Sequence, residues 1–398
     1  SDAEQSSGRP HDLITAPKEL TLAPLTLSSE TKDYAGQLAQ LIKKHHQPGT
    51  LTLVVVNRVR RAREIFQTLT AGKNPLYDPA KVALIHSRFR PVDRERHTKL
   101  LFGTGDRIVI ATQAVEAGVD VSARLLITEL APWSSLVQRI GRCNRRADIP
   151  DAKVFWVNIE PDAKVDLLLP YSGNEIVKAR DALFIISDGN REAGPRALAK
   201  IKVDPEPVIR PVIRRRDLVD LFDTTPDICG QDLNISRYIR DGDDNDVQLF
   251  WRDVYDAPGE KEPQPERIEL CRVAVGEARE FFKKVTKSFE KNRLWRWNFL
   301  EDQWQPEKTP RPGGVYFVAA SCGGYEDELG WTGELKVKKL TTHRPPDRDN
   351  DFHNGDPDTY TRSWQLIAEH SKFVAQETET LAVLANKAKF ADALHTAA

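Results

Sequence analysis

Between Arg107 and Arg146 the chain concentrates residues suited to holding a polyanion. Gln138-Arg139-Ile140-Gly141-Arg142-Cys143-Asn144-Arg145 sets three arginines at three-residue spacing around a short helical stretch, and Gly141 leaves room for close approach. Guanidinium forks gathered at one helix end suit a polyphosphate, which each fork can grip bidentately. Just upstream, Thr112-Gln113 and Glu116-Ala117-Gly118-Val119-Asp120 leave an apolar run. Gly118 permits a positive φ or a close backbone contact. Asp120 can accept from a ribose hydroxyl or pair with an arginine.

Those residues need a scaffold, and the hydrophobic pattern supplies one. Residues 51–56, 81–85, 107–111, 125–130 and 154–159 are short β-branched and leucine runs, as expected of strands covered on both faces. Helical spacing separates them over 34–46, 59–69, 92–102 and 135–140. Alternation of this kind predicts an α/β fold, a parallel sheet flanked by helices over residues 31–204. Ligands bind such sheets where loops leave the carboxyl ends of strands, which is where the motif residues fall. Residues 1–30, rich in Ser, Pro and Thr, read as a tail or linker. Beyond the helix-breaking prolines Pro205, Pro207 and Pro211, residues 205–344 read as a smaller α+β accessory domain. Its expected helices are 214–222 and 274–285, and its expected strands 247–251, 294–299 and 315–320. Residues 345–359 read as a second linker, and 360–398 as a short helical C-terminal segment.

Composition bounds the function. A length of 398 residues allows two or three modules. With 58 Lys+Arg against 59 Asp+Glu, a uniformly basic nucleic-acid coat is excluded, though a local basic groove is not. No apolar run approaches the roughly 20 residues that span a bilayer, and the polar start is unlike a signal peptide, so no membrane association and a cytoplasmic location are expected. Methionine is absent, which predicts an excised fragment or replaced methionines. Cys143, Cys229, Cys271 and Cys322 are too dispersed for a zinc knuckle and read as structural thiols. The acidic run Asp241, Asp243, Asp244 and Asp246 lacks the glycine and final glutamate of a calcium loop and reads as a solvated turn. Trp295, Trp297 and Phe299 alternate along one strand and read as the buried face of a sheet.

Taken together the motif residues resemble those of superfamily 2 helicases. Gln138 to Arg145 is similar to motif VI, Ala111 to Asp120 to motif V, Val55-Val56-Asn57 to motif IV, and His86-Ser87-Arg88-Phe89 to motif IVa, in the order of a second RecA-like domain. His86 to Pro91 and Ala131 to Arg139 resemble more narrowly the CRISPR-associated type I helicase–nuclease, and 221–227, 247–252 and 329–333 resemble its I-G (formerly I-U) subtype, in which an HD nuclease follows the helicase. The resemblance implies an ATP-dependent helicase that travels on single-stranded DNA, with a metal-dependent nuclease, recruited by a Cascade-like surveillance complex. It implies that Arg142 and Arg145 are arginine fingers meeting ATP held by the first RecA-like domain of the same polypeptide. Gln138 and Arg139 would tie ATP or that domain's carboxylates to this helix, and Gly118 and Asp120 would sense the nucleotide. Asn57, Ser87, Arg88, Thr112 and Gln113 would lie along the phosphates of one DNA strand.

The departures carry expectations of their own. ATP and Mg²⁺ need a Gly-x-x-x-x-Gly-Lys-Ser/Thr loop and an acidic box, and Gly72-Lys73-Asn74 is no such loop. The chain alone is therefore expected to hydrolyse ATP negligibly. Residues 366–371 resemble the first helix of the HD nuclease, with His370 as a candidate ligand for a divalent transition metal, but no His-Asp doublet follows it. Two other readings compete: a non-catalytic docking module for nucleic acid or protein on an orphan RecA-like domain, and an RNA helicase of the same superfamily.

Overall fold

A computed structural model describes residues 9–160, 167–171, 173–203, 213–222, 246–254, 256–259, 262–298, 301, 303–345 and 371–376. Six strands, β1 Glu19–Leu27, β2 Leu51–Val55, β3 Val82–Ile85, β4 Arg107–Ala111, β5 Leu125–Glu129 and β6 Lys153–Ile159, form one sheet. Their order is β1-β6-β5-β2-β4-β3, and every neighbouring pair is parallel. β2 sits in the middle and is buried along its whole length, which is why its sequence is apolar without alternation. Helices Tyr34–His45, Val59–Thr70, Pro91–Leu101, Trp133–Ile140 and Gly173–Asp188 connect or follow the strands. The helix Val59–Thr70 turns Ala62, Ile65, Phe66 and Leu69 inward at helical spacing.

The segment expected to be a tail contributes the edge strand β1, a correction with a physical cause. Its alternation is interrupted at Ala23-Pro24, and the register against β6 slips between Leu22 and Thr26. Proline has no N–H for a ladder, so it is confined to edges and bulges, and here it hides the strand from the pattern. Residues 17 and 18 just before it pack behind the arginine-bearing helix.

A second, mixed sheet uses β7 Asp246–Arg252, β8 Cys271–Ala274, β9 Leu294–Asn298, β10 Gln303–Pro306 and β11 Val315–Ala319 in the order β10-β9-β11-β7-β8. β9 pairs with β11, through Phe317 opposite Trp295. Trp295 is buried, and Phe299 lies outside the described residues. The helix Val275–Ser288 and the short hairpin of β12 Tyr325–Glu326 and β13 Gly330–Trp331 complete this part. The two sheets do not divide near residue 204 as expected. They share one unit, Ser1–Pro345, and Pro346–Ala398 is a second, in which residues 371–376 are helical.

The joint between the sheets is polar and buried. Arg90 is stacked over the Tyr325 ring at 4.3 Å and donates to Asp93, Asp327 and the Thr341 carbonyl. Gly330 has φ +71°, and a Cβ there would stand 2.4 Å from the Arg88 carbonyl oxygen, so the hairpin approaches β3's exit loop only because this position is glycine.

Candidate functional site

Because all six strands of the first sheet are parallel, their carboxyl ends share one edge, and the motif residues gather there. β2 delivers Asn57, β3 delivers His86, Ser87 and Arg88, β4 delivers Thr112 and Gln113, and β5 ends on Glu129. Gln113 Nε2 donates to the Asn57 carbonyl at 3.1 Å, which joins the β2 and β4 exits. Gly118 takes φ +69° in open space in the loop beyond, and Asp120 is exposed.

The three arginines share a spacing and not an environment. Arg139 is fully buried: its Nε donates to Glu116 Oε1 at 2.8 Å, Nη1 to Thr128 Oγ1 and to the Glu129 carbonyl at 3.1 Å each, and Nη2 to the Tyr171 hydroxyl at 2.9 Å. The expectation that Arg139 ties ATP or another domain's carboxylates to this helix is corrected, since all its nitrogens donate inside the fold. Arg142 is 8% exposed and binds the carbonyls of Val115, at 3.0 Å, and Glu116, and so clamps the β4 exit loop to the helix end. Burial lowers its pKa, and the neighbouring Arg145 adds to the effect. Arg145 alone faces outward. Its side chain is 45% exposed and meets Asp120 Oδ1 at 2.9 Å. Gln138, on the same helix, is exposed.

The helix end is also held from behind. Buried Lys18 donates from Nζ to the Ile140 carbonyl at 3.0 Å, a cation placed on helix C-terminal carbonyls, where the dipole favours it. Asn144 Nδ2 donates to the Pro17 carbonyl at 3.0 Å. Burial lowers the pKa of Lys18 and pushes the nearby Cys143 thiol up to about 12.

The residues expected along a DNA strand divide unevenly. Ser87 is exposed. Thr112 and Asn57 are buried, and the Asn57 amide donates to the Leu130 carbonyl at 2.8 Å, so its side chain faces the fold's interior. Arg88 donates from Nη1 to Asp246 Oδ1 at 3.0 Å and to the Arg272 carbonyl at 3.1 Å, and thereby fastens the second sheet. His86 beside it is buried, donating from Nε2 to the Leu329 carbonyl while Nδ1 accepts from the Arg88 N–H. Burial first, and then Arg63, lowers its pKa to about 3.

Several residues at this edge escaped the sequence reading. Glu129 is the buried carboxylate that accepts from Arg61 Nε, Arg61 Nη2 and the Asn57 N–H, each at 2.7 Å. Burial opposes the Arg61 charge, but Glu129 beside it outweighs burial, and the Arg61 pKa is raised. A lone carboxylate closing an otherwise apolar strand is a legible signal, because a buried charge demands a partner. Glu116, Glu129 and Asp120 each hold an arginine, so the carboxylates at this edge do not form a Mg²⁺ site. No group of three or more metal-ligating side chains occurs among the described residues, and His370 lies outside them. Among the described residues, no helix is long and apolar enough to cross a membrane.

Residues 48–148 match the family model described as CRISPR-associated nuclease/helicase Cas3, C-terminal. This segment is similar to the C-terminal part of Cas3 proteins. Every candidate residue from Asn57 to Arg145 falls inside it. The CRISPR-associated helicase Cas3 of Thermoproteus tenax is 36% identical over 140 residues, covering 34% of this chain and 22% of that protein. The CRISPR-associated nuclease/helicase Cas3 of Streptococcus thermophilus is 32% identical over 117 residues, 27% of this chain and 12% of the relative. The match thus spans about a fifth or less of these Cas3 proteins' length. Among solved structures, T. fusca Cas3 with AMPPNP aligns at 17% identity with a TM-score of 0.42, over 76% of this chain and 40% of that one.

Proposed function

We propose that this chain supplies the second motor half of an ATP-dependent helicase–nuclease that travels on single-stranded DNA in CRISPR interference. The observation that carries the reading is Arg145, an exposed guanidinium set at the carboxyl edge by a buried scaffold that includes Arg139 and Arg142. A cation held there can meet the γ-phosphate charge as it develops, while the nucleotide sits in the phosphate loop of another domain. When bound, ATP supplies the phosphoryl group and Mg²⁺ neutralises it; since the edge carboxylates here are bound to arginines, the metal ligands belong to that other domain. Arg142 and Arg139 then act as positioning residues. Gln138 and Arg145 face outward at this edge, and Gly118 and Asp120 are exposed in the loop that follows β4. Recruitment by a surveillance complex, and a nuclease following the helicase with His370 among its ligands, belong to the same reading and rest on the resemblance.

Hydrolysis by the longer protein tests it. ATP turnover is expected to rise with single-stranded DNA and not with single-stranded RNA, and the 398-residue chain alone is expected to show none. Stimulation by RNA instead would make it an RNA helicase. No turnover under any condition would leave a docking module.

A further inference from the structure

Glu129 sits at the carboxyl terminus of β5, the other four residues of which are apolar or hydroxyl-bearing, and it is almost inaccessible. Its three charge-assisted bonds, to Arg61 and to the Asn57 N–H, are all 2.7 Å long, as expected for strong contacts to a carboxylate. From there the bonds run in a closed circuit. The Asn57 carbonyl accepts from Gln113, whose short helical turn Gln113–Val115 leads to Glu116. Glu116 accepts from Arg139 Nε, and Arg139 Nη1 returns to the main-chain carbonyl of Glu129. Arg142 hangs on the same turn through the carbonyls of Val115 and Glu116.

We infer that Glu129 is the positioning residue on which the mutual register of the Asn57, Gln113 and Arg139 segments depends. A carboxylate is required because two of its bonds neutralise buried Arg61 while the third fixes the backbone at which β2 leaves the sheet. An amide in its place offers one acceptor and turns two donors toward donors, so the circuit opens at its strongest link. Its Glu129, Arg61 and Arg139 members are buried while Gln113 and Glu116 are partly exposed, and its product is the placement of Arg142 and Arg145 at the edge. Its effect on turnover rests on the motor reading. Its effect on the fold does not.

The experiment is hydrogen–deuterium exchange on the chain, parent against Glu129→Gln, with Arg61→Gln/Glu129→Gln as the second variant. The double change removes both charges together and so avoids leaving one buried and unpaired, which keeps the test open if the single variant fails to fold. Exchange is expected to rise together over residues 56–58, 113–117 and 138–142, with the other strands protected as in the parent. A rise confined to the neighbourhood of residues 57–61, or no rise, overturns the inference. In the longer protein the double variant is expected to lose at least about tenfold in kcat while KM for ATP stays within about twofold, because misplacement of catalytic groups acts on the transition state. An unchanged kcat per folded molecule overturns the link to turnover. A parent without ATPase activity overturns the motor reading and leaves the exchange result to decide on Glu129.

Discussion

At the scale of single residues, one side-chain type performs three tasks along seven positions. Arg139 is a buried organiser, Arg142 a clamp on backbone carbonyls and Arg145 an outward cation. Stability should therefore separate them. Arg142→Ala strands two buried carbonyls and is expected to cost about 1–3 kcal/mol. Arg145→Ala breaks only an exposed pair with Asp120 and is expected to cost less than about 1 kcal/mol. Urea denaturation of the two variants decides this, and equal losses would contradict the assignment. The buried histidines give a pH dependence. The pKa of His86 is lowered to about 3 and that of His97 to about 4, in both cases chiefly by burial. Below about pH 6.5 the unfolded chain takes up protons that the folded chain refuses, so stability falls as pH falls toward those values. Each histidine is expected to remove about 2 kcal/mol by pH 5, seen as a lower melting temperature at pH 5 than at pH 7. The arginine spacing was legible in the sequence, but the roles were not. Which arginine is buried depends on Glu116, Thr128 and Tyr171, and Tyr171 lies 32 residues beyond Arg139.

At the scale of elements, the central strands were legible because burial on both faces writes an unbroken apolar run, as in β2, β4 and β5. β1 was not, since Pro24 and its bulge erase the period on which such a reading rests. The docking of the hairpin that joins the sheets was not legible in the sequence, because its reason is a contact with a loop more than 200 residues away. Two glycines of nearly equal φ test that contact. Gly118→Ala meets open space and is expected to cost only the strain of a positive φ, about 1 kcal/mol. Gly330→Ala adds a collision with the Arg88 carbonyl and the His86 ring, and is expected to cost at least about 2 kcal/mol more. Thermal unfolding of the pair measures the difference, and equal costs would mean that the hairpin does not dock as described.

At the scale of the molecule, the second sheet is fastened to the first by Arg88, expected to lie along a DNA strand, and by its neighbours His86 and Arg90. Arg88 binds Asp246, His86 binds the Leu329 carbonyl and Arg90 binds Asp327. The two sheets therefore form one body, and the edge is left with Ser87, Gln138 and Arg145 facing outward. Sequence reasoning placed a domain boundary there because proline-rich chain marks local breaks and carries no record of long-range docking. The claim on which the proposed function turns is that Arg145 completes a nucleotide site held elsewhere. Single-turnover ATP hydrolysis by the longer protein on single-stranded DNA, parent against Arg145→Ala, tests it most directly. The rate is expected to fall by about 10³ or more with ATP affinity nearly unchanged, and an Arg145→Ala variant that hydrolyses ATP at the parent's rate would contradict it.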